Sequence, residues 1–151
     1  MALQYVGNAK AAFGYDSATG ERGFLIKMKN KTGAATVKGM VVSADSANDN
    51  AFVAQSSEFD AFGVVQEAGI ADASDAWVWV NGSVAQVLFK DSEAATRAYV
   101  ALASDTDGRA LCVAVPTSNP VVAEHFKEIG HVLETKSGGT DVLALCHLHF
   151  N

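Results

Sequence analysis

The chain has 151 residues, of which 49% are hydrophobic and 19% charged, and its formal net charge is −6. This composition indicates one folded domain and excludes a disordered polymer, and no apolar run approaches the roughly 18 residues that a membrane span needs. Because the N-terminal stretch lacks the basic head and apolar run of a signal peptide, we expect a soluble protein made in the cytoplasm.

The charge is unevenly distributed along the chain. Residues 1–40 hold six basic and two acidic residues, a net charge of +4, whereas residues 41–151 hold five basic and fifteen acidic residues, a net charge of −10. This asymmetry predicts either a basic region that meets an acidic partner or lysines that protect an exposed strand edge. Nucleic acid is a poor partner, because the larger part of the chain would repel phosphates.

Residues 1–22 show no sustained hydrophobic period and mix small and polar residues with scattered apolar ones. We therefore predict an N-terminal arm that lies on the surface of a partner. Apolar and aromatic residues dominate interface energies, so the candidate anchors are Leu3, Tyr5, Val6 and Phe13.

Two strands are predicted after the arm. "GFLIKMKN" (23–30) places apolar side chains on one face and Lys27 and Lys29 on the other, as in a half-buried strand. With Lys31, these lysines either face an acidic partner or protect an edge. "TVKGMVVS" (36–43) predicts the returning strand, with Gly39 at a bulge or a close approach.

The stretch "AWVWVNGSVAQVLF" is the clearest local pattern in the chain. Asn81–Gly82 is the favoured pair for a type I′ turn, so we predict a β-hairpin in which Trp79 faces Val84 and Trp77 faces Gln86. Apolar residues occupy both faces of both strands, which predicts that the hairpin is covered on both sides.

In the C-terminal half, residues 90–103 have the pattern of a short helix and 108–115 that of a strand. Residues 121–130 have helical spacing that ends at Gly130, although an extended segment fits equally. A strand begins at residue 131, and 142–150 is a long closing strand. Turns are predicted at 43–51, 71–76, 116–120 and 136–141. About eight short strands predict a mainly β fold, a compact barrel or sandwich with one or two short helices.

The sequence contains no recognised catalytic motif. It has no phosphate-binding loop, no Cys-x-x-Cys pair and no Gly-x-Ser-x-Gly elbow. Cys112 and Cys146 are interpreted as small buried hydrophobic residues. We therefore predict no catalytic residue and no cofactor.

The segment "CHLHFN" at residues 146–151 contains possible metal ligands. Strand alternation places His147 and His149 on one face and Cys146 on the other. The two histidines would share a metal ion if His131 or His125 supplied a third ligand. An ordinary half-buried strand explains the same alternation without further assumptions, so we predict no metal.

Several stretches resemble the decoration, or cement, proteins of tailed-phage heads. They are "KNKTGAATVKGMVV", "FGVVQEAGI" followed by "AWVWVNGSVAQVLF", and "AEHFKEIGHVLETKSGGTDVLALCHLHFN", which together span roughly residues 23–151. The resemblance implies a compact, β-tulip-like fold with an extended N-terminal arm at 1–22. It also implies a homotrimer on the outer face of the expanded capsid, where it binds the major capsid protein and clamps neighbouring coat subunits without performing chemistry.

These implications yield expectations about contacts. Trp77 and Trp79 belong either to the core or to a trimer interface. His147 and His149 point toward solvent or a neighbouring subunit. Deleting residues 1–20 is expected to weaken capsid binding while leaving the fold and the oligomer intact. The alternative function is a small metal-dependent or nucleotide-processing all-β enzyme.

Overall fold

The computed structural model describes residues 10–56, 60–115 and 122–151 in full and residues 4–7 as backbone. The mainly β prediction is confirmed, with 44% strand and 3% helix. The strands of the first half are β1 Gln4–Gly7, β2 Ala11–Tyr15, β3 Arg22–Asn30, β4 Val41–Ala44, β5 Ala51–Ala54, β6 Ala61–Val65 and β7 Asp75–Trp79. Those of the second half are β8 Val84–Leu88, β9 Val100–Ala103, β10 Ala110–Val113, β11 Glu128–Val132 and β12 Leu143–Leu148, with one helix, α1 Val122–His125.

Five strands close into a barrel in the order β3-β5-β4-β6-β7, with β7 returning to β3. The contact between β3 and β5 is parallel and pairs Lys29 with Ala51 and Asn30 with Phe52. The other four contacts of the ring are antiparallel. Closure gives each of these strands a partner on both edges, which removes the exposed edges that promote aggregation.

A second, antiparallel sheet has the order β10-β9-β11-β12-β8 and joins the barrel where Arg22 of β3 pairs with Val84 of β8. The hairpin formed by β1 and β2 is attached to β3 through the pairing of residues 11–15 with residues 22–26. The described part of the predicted N-terminal arm therefore contains two strands, β1 and β2, although the division of the chain at residue 22 stays a prediction. In the described part of the chain, no helix is long and apolar enough to cross a membrane.

Two hydrophobic cores lie on the two faces of the barrel strands. The smaller core fills the barrel and contains Val42, Phe52, Val65, Ala76 and Val78. The larger core lies between the outside of the barrel and the second sheet. Its barrel-strand members are Leu25, Val41, Val64 and Trp79, and its second-sheet members include Ala85, Val87, Ile129, Cys146 and Leu148. The prediction that the segment around Asn81–Gly82 is covered on both sides is confirmed.

The predicted hairpin around Asn81–Gly82 is wrong, although its turn forms. The amide of Ser83 donates to the carbonyl of Val80 at 3.2 Å, but the flanking strands do not pair with each other. Instead β7 pairs with β3, placing Trp79 opposite Leu25, and β8 pairs with residues 143–147 of β12. Each of the two strands thus pairs over five residues with a strand that is distant in sequence. As a result, β7 belongs to the barrel and β8 to the second sheet.

The helix predicted at 90–103 is wrong, and each of the two alternatives left open at 121–130 forms in part. Residues 90–99 form turns followed by β9, and Ser92 and Ala98 have φ angles of 68°, which an α-helix cannot accommodate. At 121–130 only the single turn α1 forms, and Gly130 lies within β11 rather than at a helix end. The structure therefore matches the extended alternative for the last part of this segment.

The second predicted strand is shorter than expected and has different partners. Residues 36–40 form turns, and β4 pairs with β5 and β6 rather than with β3. The predicted close approach at Gly39 is confirmed, because an added Cβ would lie 2.9 Å from the carbonyl oxygen of Gln86. The predicted turn at 136–141 lies in a connection between strands. Those at 43–51 and 71–76 cover such connections but overlap the ends of β4, β5 and β7, and the one at 116–120 lies outside the described residues.

Glu21 is a buried carboxylate that ties the barrel to the second sheet. It accepts hydrogen bonds from Lys38 Nζ at 2.5 Å, from Thr19 Oγ1 at 2.9 Å and from the backbone amide of Gln86 at 3.1 Å. Because a buried carboxylate is tolerated only with such partners, all three contacts contribute to stability.

We expect Glu21→Gln to lower the free energy of unfolding by about 1–2 kcal/mol, because the neutral amide weakens the contact with Lys38. Urea unfolding followed by tryptophan fluorescence measures the change. Glu124→Gln is the matched control, since Glu124 is exposed in α1 and its substitution should change stability by no more than about 0.5 kcal/mol. Equal stability of the two variants would show that the Glu21 contacts contribute nothing.

Candidate functional site

All four histidines of the chain lie close together on the outer face of the second sheet. His125, His131 and His149 each approach the carboxylate of Glu128, and the ring of His147 lies 6.2 Å from that of His149. These five residues, named here the histidine cluster, come from α1, β11 and the end of β12. The sequence separates them by up to 24 positions, so the fold is what assembles the cluster.

A bulge in β11 places Glu128 on the same side as His131. The pairing of β11 with β9 shifts register between Glu128 and Gly130, so that Ile129 enters the core while the residues on either side of the bulge face outward. Gly130 is required here, because an added Cβ would overlap the carbonyl oxygen of His147 on β12. The close contact between the two strands places His131 directly opposite His147.

The alternation along β12 agrees with the sequence prediction. Cys146 and Leu148 are buried in the larger core, and His147 is exposed. His149 follows the end of the strand, where its amide donates to the carbonyl of Ile129 at 2.9 Å. This bond extends the contact between β11 and β12 and holds His149 next to His131.

The donor atoms of the histidine cluster are arranged around one carboxylate. His131 Nδ1 and His149 Nε2 are 2.5 Å apart. Glu128 Oε1 lies 3.3 Å from His149 Nε2 and 3.7 Å from His131 Nδ1. The other oxygen, Oε2, lies 3.4 Å from His125 Nδ1 and accepts a hydrogen bond from Asn151 Nδ2 at 3.4 Å. The two oxygens of Glu128 therefore have different partners.

Burial of the imidazole, the largest cause, lowers the pKa of His149 below its usual value. Glu128 opposes this shift, and the other three histidines add to it. His149 is therefore mainly neutral near pH 7, and a neutral imidazole has a nitrogen lone pair that can accept a proton or bind a metal ion.

Within the described part of the chain, Glu128, His131 and His149 form the group that could hold a metal ion, because one donor atom from each lies within 4.8 Å of the others. Two imidazoles with one carboxylate form a ligand set common at zinc and other transition-metal sites. The sequence analysis identified both histidines but missed Glu128. A glycine inside the strand-like segment "EIGHV" is the signal for the bulge that could have revealed it.

A groove of about 220 Å³ adjoins the histidine cluster. Its polar lining residues are Glu124, His125, Glu128 and His131. Its apolar lining residues are Val100, Leu102, Val113, Ala114 and Val115. A ligand in this groove would therefore meet both apolar side chains and polar atoms of the cluster.

Of the predicted capsid-contact residues, Phe13 lies on an exposed aromatic surface, which we define as Phe13, Tyr15 and Phe24. Their side chains are 46%, 46% and 58% exposed, and the rings of Phe13 and Phe24 meet edge to face with centroids 5.7 Å apart. Leu3 lies outside the described residues. Tyr5 and Val6 are described only as backbone, opposite Gly14 and Phe13 in the hairpin.

The predicted lysines lie on the other face of β3. Lys27 is 4.8 Å from the centroid of the Trp77 ring, a favourable cation–π distance. Lys27 and Lys29 also line a hollow that contains Asp49 and Asp75, so the surface there is of mixed charge. The structure thus separates these lysines from the aromatic surface. Lys31 follows the end of β3 and is partly exposed.

The predicted oligomer contacts divide into two groups. Trp79 is fully buried in the larger core, which is the core alternative of the sequence analysis, and it has no surface to offer another subunit. Trp77, His149 and His147 keep exposed surface, and their assignment to an interface stays a prediction.

Comparison with protein-family models finds no match for the chain, and comparison with curated protein sequences finds none either. The features from which a function can be inferred are therefore the aromatic surface, the histidine cluster and the fold that positions them.

Proposed function

We propose that this chain is a structural protein of a tailed-phage head that binds the outer surface of the capsid and clamps neighbouring coat subunits. It acts by binding alone, as a homotrimer, and performs no chemistry. The observation that carries the proposal is the aromatic surface on β2 and β3.

On the aromatic surface the large side chains are exposed and the small ones are buried, which is the opposite of what core packing alone would favour. Along β2 the small residues Ala12 and Gly14 are buried while Phe13 and Tyr15 are half exposed, and Phe24 is exposed on β3. A strand that only supported the core would bury its large side chains and expose its small ones. Clustered exposed aromatic side chains are typical of protein interfaces, where they supply much of the binding energy.

The hairpin also offers an edge for strand pairing. In the described part of the chain, β1 pairs only with β2, so its other edge is available to a strand of a coat subunit. Addition of a strand to such an edge combines backbone hydrogen bonds with side-chain contacts on the adjoining face. We propose a coat subunit as the occupant of both the edge and the aromatic surface.

Multivalent binding strengthens the clamp. Three hairpins carried by one trimer bind the capsid with an effective local concentration that raises the overall affinity well above that of one contact. The net charge of +4 in residues 1–40 favours an acidic coat surface, although Asp49 and Asp75 beside the lysines reduce that contribution.

The structure suggests a sharper test than deletion of residues 1–20. Such a deletion would remove β2 from the edge of β3 and expose its backbone, so reduced binding would have two explanations. Point substitutions on the aromatic surface leave this pairing in place.

We expect the double variant Phe13→Ser, Phe24→Ser to bind capsids at least about tenfold more weakly, because two aromatic contacts are lost. The measurement is co-sedimentation with expanded, undecorated heads of the phage that encodes the chain. Light scattering should show an unchanged trimer.

The matched control is the double variant Val122→Ser, Phe126→Ser, which removes two exposed apolar side chains near α1, far along the chain from the hairpin. This control should bind like the unmodified protein. Unchanged binding of the Phe13, Phe24 variant would contradict the role of the aromatic surface, and failure of the unmodified protein to bind heads would contradict the proposed function.

A further inference from the structure

We propose that Glu128, His131 and His149 form a binding site for one divalent first-row transition-metal ion, of which Zn²⁺ is the representative. An ion bound there would link β11 to the residue that follows β12. It lies on the second sheet, whereas the aromatic surface lies on β2 and β3, so the inference does not depend on the proposed function.

The distances between the donor atoms are close to those around a bound metal ion. Ligand atoms at about 2.0–2.2 Å from a tetrahedral zinc ion lie about 3.4 Å from one another. Glu128 Oε1 lies 3.3 Å from His149 Nε2 and 3.7 Å from His131 Nδ1. The two nitrogens, now 2.5 Å apart, must separate by about 0.9 Å to accept an ion between them. Small rotations of two partly exposed imidazoles are sufficient for this change.

The backbone already holds the ligands in place. His131 lies in the paired part of β11, and the amide of His149 is bonded to the carbonyl of Ile129 at 2.9 Å. Glu128 is fixed by the bulge before Gly130. Because three separate backbone constraints converge on these side chains, binding requires little reordering of the chain.

The neighbours of Glu128 orient its carboxylate for this role. His125 Nδ1 and Asn151 Nδ2 both approach Oε2, which leaves Oε1 directed at the two histidines. Partners that hold a ligating carboxylate in one orientation commonly raise metal affinity. His125 and Asn151 are therefore positioning residues in this proposal rather than ligands.

The cluster also has the charge that a cation site needs. The side chain of Glu128 is only 14% exposed and is surrounded by three imidazoles, which are neutral donors when they bind a metal. An ion held between a carboxylate and the lone pairs of two imidazoles satisfies all three groups. A shared proton would satisfy the two nitrogens as well, so the experiment must distinguish a metal ion from a proton.

The ligand types select the class of metal. Two imidazole nitrogens and one carboxylate oxygen suit Zn²⁺, Co²⁺, Ni²⁺ and Cu²⁺, whereas Ca²⁺ and Mg²⁺ prefer sites made of oxygen atoms alone. Glu128 and His131 also line the 220 Å³ groove, so a water molecule entering from the groove can complete the coordination.

The test uses the full chain without a histidine tag, because a tag would bind the same ions. After dialysis against a chelator, calorimetric titration with ZnCl₂ should give one ion per chain. At a free zinc concentration one hundred times the dissociation constant, the Tm should rise by roughly 5–10 °C. Titration with Co²⁺ should produce the visible absorption of a nitrogen- and oxygen-ligated ion, which a shared proton cannot produce.

Substitutions of the proposed ligands test whether zinc binding and Co²⁺ absorption arise at this site. His131→Ala and His149→Ala should each weaken zinc binding about a hundredfold and abolish the Co²⁺ absorption, because either change leaves two ligands. Both side chains are partly exposed, so the apo variants should fold, which circular dichroism checks.

His147→Ala is the matched control. His147 belongs to the same histidine cluster and faces His131 across the strands, but it is not a ligand in the proposed site. It should retain one ion and the full rise in Tm. The proposal is overturned if the unmodified protein binds no ion, or if zinc affinity is unchanged in both His131→Ala and His149→Ala. Capsid binding plays no part in these measurements, so their outcome is independent of the proposed function.

Discussion

Trp79→Ala is expected to lower the free energy of unfolding by about 3–5 kcal/mol, the cost of removing a large buried aromatic side chain. Trp79 is the largest fully buried side chain among the described residues and lies in the core between the barrel and the second sheet. The substitution would leave a cavity between these two layers and remove the packing contacts that Trp79 makes there. Since typical domains are stable by only about 5–15 kcal/mol, this loss is a large fraction of the total stability.

Two comparisons distinguish lost packing from other causes. Trp77→Ala should cost less, about 1–2 kcal/mol, because Trp77 lies at the margin of the larger core and is only partly buried. Trp79→Phe should cost clearly less than Trp79→Ala, because the indole nitrogen of Trp79 has no hydrogen-bond partner within the described part of the chain. Urea unfolding measures all three, and a smaller loss for Trp79→Ala than for Trp77→Ala would contradict the assignment of Trp79 to the core.

Gly130→Ala is expected to cost about 3 kcal/mol or more, because the added Cβ would overlap the backbone of His147. Unlike a flexible side chain, this backbone cannot move without separating β11 from β12. The separation would also move His131 away from His149 and disturb the histidine cluster. Urea unfolding measures the loss of stability, and NMR signals of the imidazoles report the change in the cluster.

Gly139→Ala is the matched control for this substitution. The nearest atom to a Cβ at Gly139 is a methyl carbon of Val142 at an ordinary contact distance of 3.6 Å. The control should therefore change stability by no more than about 0.5 kcal/mol. If both glycine variants had the same stability, close packing of β11 on β12 at Gly130 would be refuted.

The fold class could be predicted from the sequence because alternation and turn residues are local properties. Strand β3 shows a property that local patterns cannot predict, namely which of its two faces is buried. One edge of its first half pairs with β2, and its other edge pairs with β8 at Arg22 and with β7 from Leu25 onward. Leu25 is buried and Phe24 exposed, whereas the next residue, Ile26, packs against the core inside the barrel. The buried face therefore changes within one strand. Alternation correctly separates the two faces, but only the tertiary partners decide which face is covered.

The helix predicted at 90–103 failed for a similar reason, and the choice left open at 121–130 could not be made from the sequence. The alanines and Glu93 of 90–103 have high helix propensity, but burial of Ala95 and its bridge to Lys136 are gained only in the turn conformation. For 121–130, the helical spacing of apolar residues could not reveal that residues 128–132 fill the place between β9 and β12. In both segments tertiary packing outweighs local preference.

The candidate site was partly visible in the sequence. Strand alternation correctly placed His147 outward and Cys146 inward. It could not show that His149 meets His131 rather than His147, because that choice depends on the pairing of β11 with β12. Glu128 was missed because a bulge changes the side of the strand on which it lies. A pattern with a period of two contains no information about such a break.

The turn at Asn81–Gly82 separates two strands that belong to different layers, and this determines the order in which the chain can fold during synthesis. The barrel cannot close until β7 has left the ribosome, because β7 joins β3 to β6. After the turn, β8 has its long partner only when residues 143–147 have been made. Since distant pairings are slow to form, β8 should stay without this partner until the end of translation, which makes it the edge most in need of protection by a chaperone.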